Sequence, residues 1–219
     1  MTTTELDMTA GSPRLVSASP PPDMELSFAA WIQITSYENY IDVFGFERNA
    51  VDWCFVEADA AGTLVFLIDT GFGTRTRTMW ADSRATWNYI AGSVDDVGLL
   101  ARLYVMTAAG VWTALTPLAI DVGFPLVDMA LGAGLQFTSD GNGTVRYRSP
   151  RVWSGVKSES QLRAEAFSAK PRDMTNLVYW NSGLDASTFG VDQSGHIATM
   201  TTTGTPTDAA SDPGVPWQR

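Results

Sequence analysis

The sequence predicts an all-β protein, an antiparallel sandwich of two β-sheets with one short helix near the C-terminal end. Short runs rich in Val, Ile, Phe, Tyr, Trp and Thr are separated by Gly, Pro, Asp and Ser, a spacing typical of sandwiches and barrels. In the clearest run, residues 26–34, Phe28 and Ala30 fall on one face and Trp31 falls on the other. Because both faces carry apolar side chains, we expect this strand to lie centrally in its sheet.

Further strands are predicted in order along the chain, each bounded by turn residues. They cover residues 40–46, 51–57, 64–68, 76–80, 86–94, 99–107, 111–115, 127–131, 135–138 and 145–153. The helix is predicted after Ser158, which forms a capping box with Gln161, and it should end near Lys170 because Pro171 follows. We expect one sandwich domain at residues 1–198 and an extended tail at residues 199–219.

Composition and charge exclude several classes of protein. The chain has 219 residues, 45% of them hydrophobic and 17% charged, which is enough to bury one sizeable core. A net charge of −10 argues against nucleic-acid binding, which relies on clustered Lys and Arg. No run approaches the roughly 20 apolar residues of a membrane span, so no membrane insertion is expected. The N-terminal residues lack the features of a secretory signal, which predicts synthesis in a cytosol without export by that route.

Few residues are available for catalysis. Cys54 is the only cysteine and lies among apolar residues, where a thiol packs as a small hydrophobic group. His196 is the only histidine, so a Ser-His-Asp or Cys-His site would have to include it. A zinc site with several histidine or cysteine ligands is excluded. We therefore expect a protein that binds or assembles and that is not an enzyme.

Three segments, in order, carry a resemblance to a known family. Residues 26–33 (Leu-Ser-Phe-Ala-Ala-Trp-Ile-Gln) are similar to an aromatic-led strand that runs into Ala-Trp-Val. Residues 86–95 and then 101–105 (Ala-Arg-Leu-Tyr-Val) resemble a Trp-x-His-Val-Ala strand and its Leu-Arg-Leu-Tyr-Val successor, with Asn88 where the family often has histidine. Residues 151–153 (Arg-Val-Trp), before the predicted helix, resemble a closing Val-Arg-Ile-Tyr strand.

Over roughly residues 5–180, these segments make the chain similar to the laminin-G and concanavalin A-like family of lectins and glucanases. The resemblance implies a jelly roll of two packed antiparallel sheets, with Trp31, Trp87 and Trp153 as buried anchors between them. Residues 179–196 contain Tyr-Trp and Asp-Gln-Ser-Gly-His, which resemble the segment that normally precedes the first strand. Either the C-terminus closes the fold in place of the N-terminus, or the tail reaches elsewhere.

The resemblance also implies a glycan-binding rim and makes calcium a cofactor to consider. Exposed aromatic side chains stack on sugars, and calcium needs several converging oxygen ligands. The aromatic candidates for glycan binding are Tyr37, Tyr40, Trp80 and Trp112. The candidate calcium ligands, in turn-like segments, are Asp95, Asp96 and Asp140. Glucanases of this fold align carboxylates on one strand as Glu-x-Asp-x-x-Glu, a pattern that this sequence lacks.

We expect a non-enzymatic bacteriophage virion protein, structural or decorating the head or tail surface, that can adhere to a cell-surface glycan. A lectin-like domain without a secretory signal or disulfides fits a protein made in the host cytoplasm and released by lysis. Its partners would be identical subunits or other virion proteins. Three alternatives remain open: a free-standing extracellular carbohydrate-binding module, a domain of a larger secreted protein, and a polysaccharide hydrolase whose carboxylates come from separate strands.

The tail offers a candidate contact between subunits. It finishes in Val215-Pro216-Trp217, an apolar anchor that a disordered tail would not need. Docking Trp217 on another subunit would bury a large aromatic area, as interface tryptophans do. The alternative is that the tail folds back across its own sandwich and covers an exposed sheet edge.

Overall fold

In the computed structural model, the chain forms two antiparallel β-sheets and one short helix. The structure describes residues 3–7, 14–17, 25–37, 41–49, 52–58, 63–70, 75–80, 86–120, 126, 128–132, 143–182, 190–196, 201–203 and 207–209. For 3–7, 14–17, 75–80, 201–203 and 207–209 it describes the backbone and its pairing. The two-sheet antiparallel sandwich predicted from the sequence is confirmed.

The first sheet, called sheet A, has nine strands among the described residues. They are β1 (Thr3–Asp7), β3 (Leu26–Tyr37), β8 (Asn88–Asp95), β9 (Leu100–Thr107), β10 (Trp112–Ala114), β11 (Leu118–Ala119), β13 (Gly143–Ser154), β14 (Leu177–Trp180) and β16 (Thr207–Ala209). Their order is β10-β9-β8-β3-β13-β1-β16, with β11 beside β9 and β14 beside β13. Strand β3 lies between β8 and β13, so its predicted central position is confirmed.

The second sheet, called sheet B, has seven strands among the described residues. They are β2 (Arg14–Ser17), β4 (Ile41–Asn49), β5 (Asp52–Ala58), β6 (Leu64–Thr70), β7 (Arg75–Trp80), β12 (Asp128–Gly132) and β15 (Thr201–Thr203). Their order is β15-β2-β12-β4-β5-β6-β7. No described helix is long and apolar enough to cross a membrane.

The main core lies between the two sheets. Alternate residues of β3, among them Phe28, face alternate residues of β4 and β6. The ring of Phe28 lies 4.9 Å from that of Phe44, 5.7 Å from that of Phe46 and 5.9 Å from that of Phe66, measured between centroids. This aromatic cluster joins the two sheets, because the Phe28 ring of β3 in sheet A packs against rings of β4 and β6 in sheet B.

Gly92 of β8 gives the Phe28 ring the room it needs. A Cβ at position 92 would lie 2.7 Å from Phe28 Cε1, closer than real Cβ atoms approach, and 3.0 Å from the carbonyl oxygen of Arg102, a tight contact. Three neighbouring rings hold Phe28, so it cannot move aside cheaply. We expect Gly92→Ala to lower the free energy of unfolding by about 1–3 kcal/mol, measured by denaturant titration. A variant as stable as the wild type would show that this close approach is absent.

A second apolar cluster lies on the outer face of sheet A, beneath helix α1 (Glu159–Glu165). It contains Trp31, Trp87 and Trp153, all buried, so the prediction that these tryptophans are buried is confirmed. Their predicted place between the sheets is wrong. Trp31 alternates with Ala30 and Ile32 along β3, and those two residues face the main core.

Helix α1 begins as predicted and ends earlier than predicted. Ser158 is the N-cap, and its capping box with Gln161 is formed on both sides. The helix ends at Glu165 rather than near Lys170. The carboxylate of Glu165 accepts hydrogen bonds from the backbone N–H groups of Arg172 and Asp173, at 3.0–3.1 Å, and this draws the following chain back over the helix end.

Several short strands lie where the sequence predicted none. Strands β1 and β2 near the N-terminus pair with β16 and β15, which lie inside the segment 199–219. The two ends of the chain therefore meet, with Thr4 opposite Asp208 in sheet A and Val16 opposite Thr201 in sheet B. Strands β11 and β14 were also not predicted. The predicted strand at 135–138 lies outside the described residues.

Candidate functional site

The outer face of sheet A is covered by α1. The indole N–H of Trp31 donates to the carbonyl oxygen of Ala166 at 2.9 Å. The hydroxyl of Tyr89 donates to the carbonyl oxygen of Leu162, also at 2.9 Å. Burial raises the pKa of the Tyr89 hydroxyl, which keeps it protonated as a donor. These two bonds join the helix backbone to two neighbouring strands, so this face is closed by the protein's own chain.

A buried ion pair adds a third attachment of α1 to sheet A. The guanidinium of Arg151, on β13, bonds to the carboxylate of Glu165, and both side chains are almost wholly buried. Arg151 also donates to the carbonyl oxygens of Ser149 and Ser168, at 3.1 and 2.8 Å. The charges and their hydrogen-bonding capacity are matched within the protein, so this cluster is structural rather than a site for a ligand.

The outer face of sheet B is different, because it carries apolar side chains and no described helix lies over it. Along β6, Leu64, Phe66 and Ile68 belong to the main core, so Val65 and Leu67 lie on the opposite, outer face. They form a separate apolar pair, 5% and 8% exposed respectively. A strand with apolar residues on both faces is typical of a sheet whose outer face is covered by a protein element or by a ligand.

Carboxylates flank this apolar pair. Asp69 follows Leu67 on the same face of β6, and Glu57 of β5 lies directly opposite Val65. Both side chains are half-buried and are therefore accessible from solvent. The register positions between them on β5 are Trp53, opposite Asp69, and Phe55, opposite Leu67.

The neighbouring strands complete the face. On β4, Gly45 pairs with Phe55, and the buried Glu47 pairs with Trp53. On β7, Arg75 and Arg77 occupy the positions opposite Asp69 and Leu67. We call Glu57, Val65, Leu67 and Asp69 the sheet B patch. It combines the buried apolar pair Val65 and Leu67 with two hydrogen-bond acceptors, the carboxylates of Glu57 and Asp69, which are accessible to solvent.

The structure places the backbone of two of the predicted glycan-binding aromatics at strand ends. Tyr37 ends β3 in sheet A, opposite Gly143, and Trp80 ends β7 in sheet B, opposite Leu64. Tyr40 lies outside the described residues. A three-residue connection joins Tyr37 to β4, so Tyr37 and Trp80 share one end of the sandwich. Their role in glycan binding stays a prediction.

Trp112 lies apart from that end, on the edge strand β10. Its ring stacks on Tyr104 with centroids 5.4 Å apart, and the guanidinium of Arg163 lies 5.8 Å from its centroid. Its indole N–H donates to the carboxylate of Glu159 at 2.8 Å. These contacts favour a packing role beside α1, and the predicted role in sugar stacking is not tested by them.

Two of the three candidate calcium ligands lie among the described residues. Asp95 and Asp96 lie in the β8–β9 turn, where Asp95 Oδ1 accepts a hydrogen bond from the Gly98 N–H at 2.6 Å. Asp140 lies outside the described residues. Calcium binding itself stays a prediction.

The single cysteine is buried in the main core, and the single histidine lies in a loop beside β14. Cys54 lies in the main core, and burial raises the pKa of its thiol well above the usual value. His196 lies in the loop 190–196, where its backbone N–H donates to Asp192 Oδ2 at 2.9 Å. Asp192 also accepts from the Trp180 N–H and the Ser194 hydroxyl, so this loop is fastened to β14. Among the described residues, no three His, Cys, Asp or Glu side chains are grouped to hold a metal.

The sheet B patch was not predicted from the sequence. The signal that could have found it is the run Leu64-Val-Phe-Leu-Ile68, which is apolar at every position rather than at alternate ones. The run predicts a strand, and its lack of alternation indicates a strand buried on both faces. Glu57 lies near the end of β5, opposite Val65.

Comparison with known proteins identifies the fold. No family model and no curated protein matches the sequence. Among solved structures, the native heptameric SAP-like pentraxin of Limulus polyphemus is similar with a TM-score of 0.61 at 10% identity, over 95% of each chain. A Bacteroides ovatus protein, provisionally described as carbohydrate-binding, is similar with a TM-score of 0.66 at 18% identity, over 97% of this chain and 61% of that one.

A third similar structure is the CBM40 domain of the Ruminococcus gnavus IT-sialidase bound to α2,3-sialyllactose. It has a TM-score of 0.53 at 12% identity, over 75% of this chain and 96% of that one. These likenesses establish the fold, a concanavalin A-like jelly roll, and the resemblance predicted from the sequence is confirmed at that level. At such low identity they do not establish function.

Proposed function

We propose that this protein is a non-catalytic glycan-binding module whose ligand lies on the outer face of sheet B. The observation that carries the proposal is the sheet B patch, in which two apolar side chains outside the main core lie between two accessible carboxylates. The opposite face of the sandwich is closed by α1, so sheet B is the face that remains for a ligand among the described elements.

The chemistry of the patch suits a sugar ring. A pyranose has hydroxyl groups that donate to carboxylates. Glu57 and Asp69, both half-buried, supply charged acceptors, which form the stronger class of hydrogen bond. Val65 and Leu67 are buried beside them and contribute little surface of their own to a ligand. The register positions between those carboxylates on β5 are Trp53 and Phe55.

The solved structures of the same fold support this proposal. Two of them are described as carbohydrate-binding or as complexed with sialyllactose. We also propose, from the sequence alone, that the protein belongs to a bacteriophage virion and that its ligand is a glycan on the host surface. A free-standing carbohydrate-binding module would use the same face.

The test is a glycan array that includes neutral and sialylated glycans, followed by titration calorimetry on the strongest ligand. We expect Glu57→Gln and Asp69→Asn each to weaken binding by about tenfold or more, because each removes a charged acceptor for a sugar hydroxyl. Glu159→Gln, which changes an exposed carboxylate on α1, is the matched control and should bind as the wild type does.

Two outcomes would contradict the proposal. If no glycan on the array is bound, the patch is not a sugar site. If a polysaccharide panel releases reducing sugar and one carboxylate substitution abolishes the release, the protein is a hydrolase. Repeating the array with a chelator tests separately whether calcium takes part.

A further inference from the structure

The β8–β9 turn presents apolar side chains to solvent at one end of sheet A. Val97 is 84% exposed and Leu99 is 43% exposed, in a turn whose other side chains are Asp95 and Asp96. Turn positions of this kind usually carry polar residues or glycine. The turn therefore combines an apolar tip with two negative charges.

This tip is held in a fixed shape. The Gly98 N–H bonds to the Asp95 carboxylate, and a Cβ at position 98 would collide with that carboxylate. Leu99 has a φ of 51°, a left-handed conformation that is costly for leucine, and its carbonyl oxygen accepts from the Ile120 N–H at 3.1 Å. A rigid apolar tip loses little conformational entropy when it binds a partner.

A second exposed surface has the opposite charge. The loop after α1 folds around Glu165, and it presents Phe167 at 50% and Met174 at 52% exposure. Three exposed basic side chains lie in the same segment of the chain: Arg163, Lys170 and Arg172. The nearby Asp173 is paired with Lys157 at 2.7 Å, so it does not offset this positive charge.

We infer that the tip of one copy docks on the α1 loop of a second copy. Each surface has two exposed apolar side chains, and the charges that flank them are opposite in sign. Chains that each carry a net charge of −10 repel one another overall, so a basic apolar loop is the part of the chain on which an acidic tip can dock. The contact pairs two different surfaces, and it closes either reciprocally about a two-fold axis or as a ring.

Sedimentation velocity at about 0.15 M salt tests this contact, because the Debye length of about 8 Å then limits electrostatic effects to touching charges. We expect wild-type protein to associate reversibly with increasing concentration. Val97→Ser should weaken association about tenfold, as truncation at an interface anchor does. Val111→Ser, at a valine 59% exposed in the β9–β10 turn, is the matched control and should leave association unchanged.

Charge reversal identifies the two surfaces. The single variant Asp96→Lys should abolish association. The double variant that combines Lys170→Glu with Arg172→Glu should abolish it too, because in both cases like charges then meet. Mixing the two variants should restore it, since every contact in the mixed assembly again joins opposite charges. The inference is overturned if the wild type stays monomeric up to high concentration, if Val97→Ser has no effect, or if the mixture does not associate. Melting curves for each variant exclude loss of fold as the cause.

Discussion

Replacing Glu165 with alanine should lower the free energy of unfolding by about 3–5 kcal/mol, because it leaves the Arg151 guanidinium buried without its opposite charge. Arg151 is fully buried, and Glu165 is the carboxylate paired with it. The substitution also removes the acceptor for the N–H groups of Arg172 and Asp173, which hold the loop against the helix end. Both losses are costly in a region that excludes water.

The measurement is denaturant unfolding of Glu165→Ala, with Glu159→Ala as the control. Glu159 lies on the same helix, but its side chain is exposed, so its loss should cost well under about 1 kcal/mol. The double variant Glu165→Leu with Arg151→Met should recover much of the stability, since an apolar pair can replace a buried ion pair. Equal stability of Glu165→Ala and the wild type would contradict the buried pair.

Replacing Trp31 with alanine should cost about 3–5 kcal/mol, the range for deleting a large aromatic side chain from a core. The indole is fully buried between β3 and α1, with the Tyr89 ring 5.6 Å away between centroids. Its N–H also bonds to the carbonyl oxygen of Ala166. The cavity would therefore open beneath the helix, on the outer face of sheet A.

The location of the tryptophan predicts how the variant unfolds. Because Trp31 joins α1 to the sheet and the main core lies on the other face, amide protection in α1 should fall more than in β4 and β5. Trp112→Ala is the control, since that half-buried side chain on the edge strand should cost less. A Trp31→Ala variant that melts like the wild type, or that loosens both sheets equally, would contradict this arrangement.

The strands were predictable where apolar alternation continues over many residues, and several short strands were missed. Residues 26–34 alternate clearly, because one face of β3 packs on the other sheet and the second face packs under α1. The short strands β1, β15 and β16 consist largely of Thr, Asp and Glu and have no apolar alternation. Their pairing depends on partners more than a hundred residues away, which a local pattern does not contain.

The tryptophans show how a resemblance can mislead about position. The alternation of β3 already separates Trp31 from Phe28, but the family resemblance suggested anchors between the sheets. The structure follows the alternation. For the candidate site, the aromatic residues were chosen as exposed side chains able to stack on sugars, whereas the sheet B patch depends on which strands are neighbours. Strand order is set by tertiary pairing, so the patch could not be assembled from the sequence.

Amide chemical-shift mapping with the glycan identified on the array tests the central claim most directly. Titration of labelled protein should shift the resonances of β5 and β6 around Glu57, Val65, Leu67 and Asp69, and should leave those of α1 and the β8–β9 turn unchanged. Shifts confined to the sheet B patch would place the ligand on the outer face of sheet B. Shifts centred on α1, on Trp112 or on the Asp95–Asp96 turn, with none on β5 and β6, would contradict the proposed site.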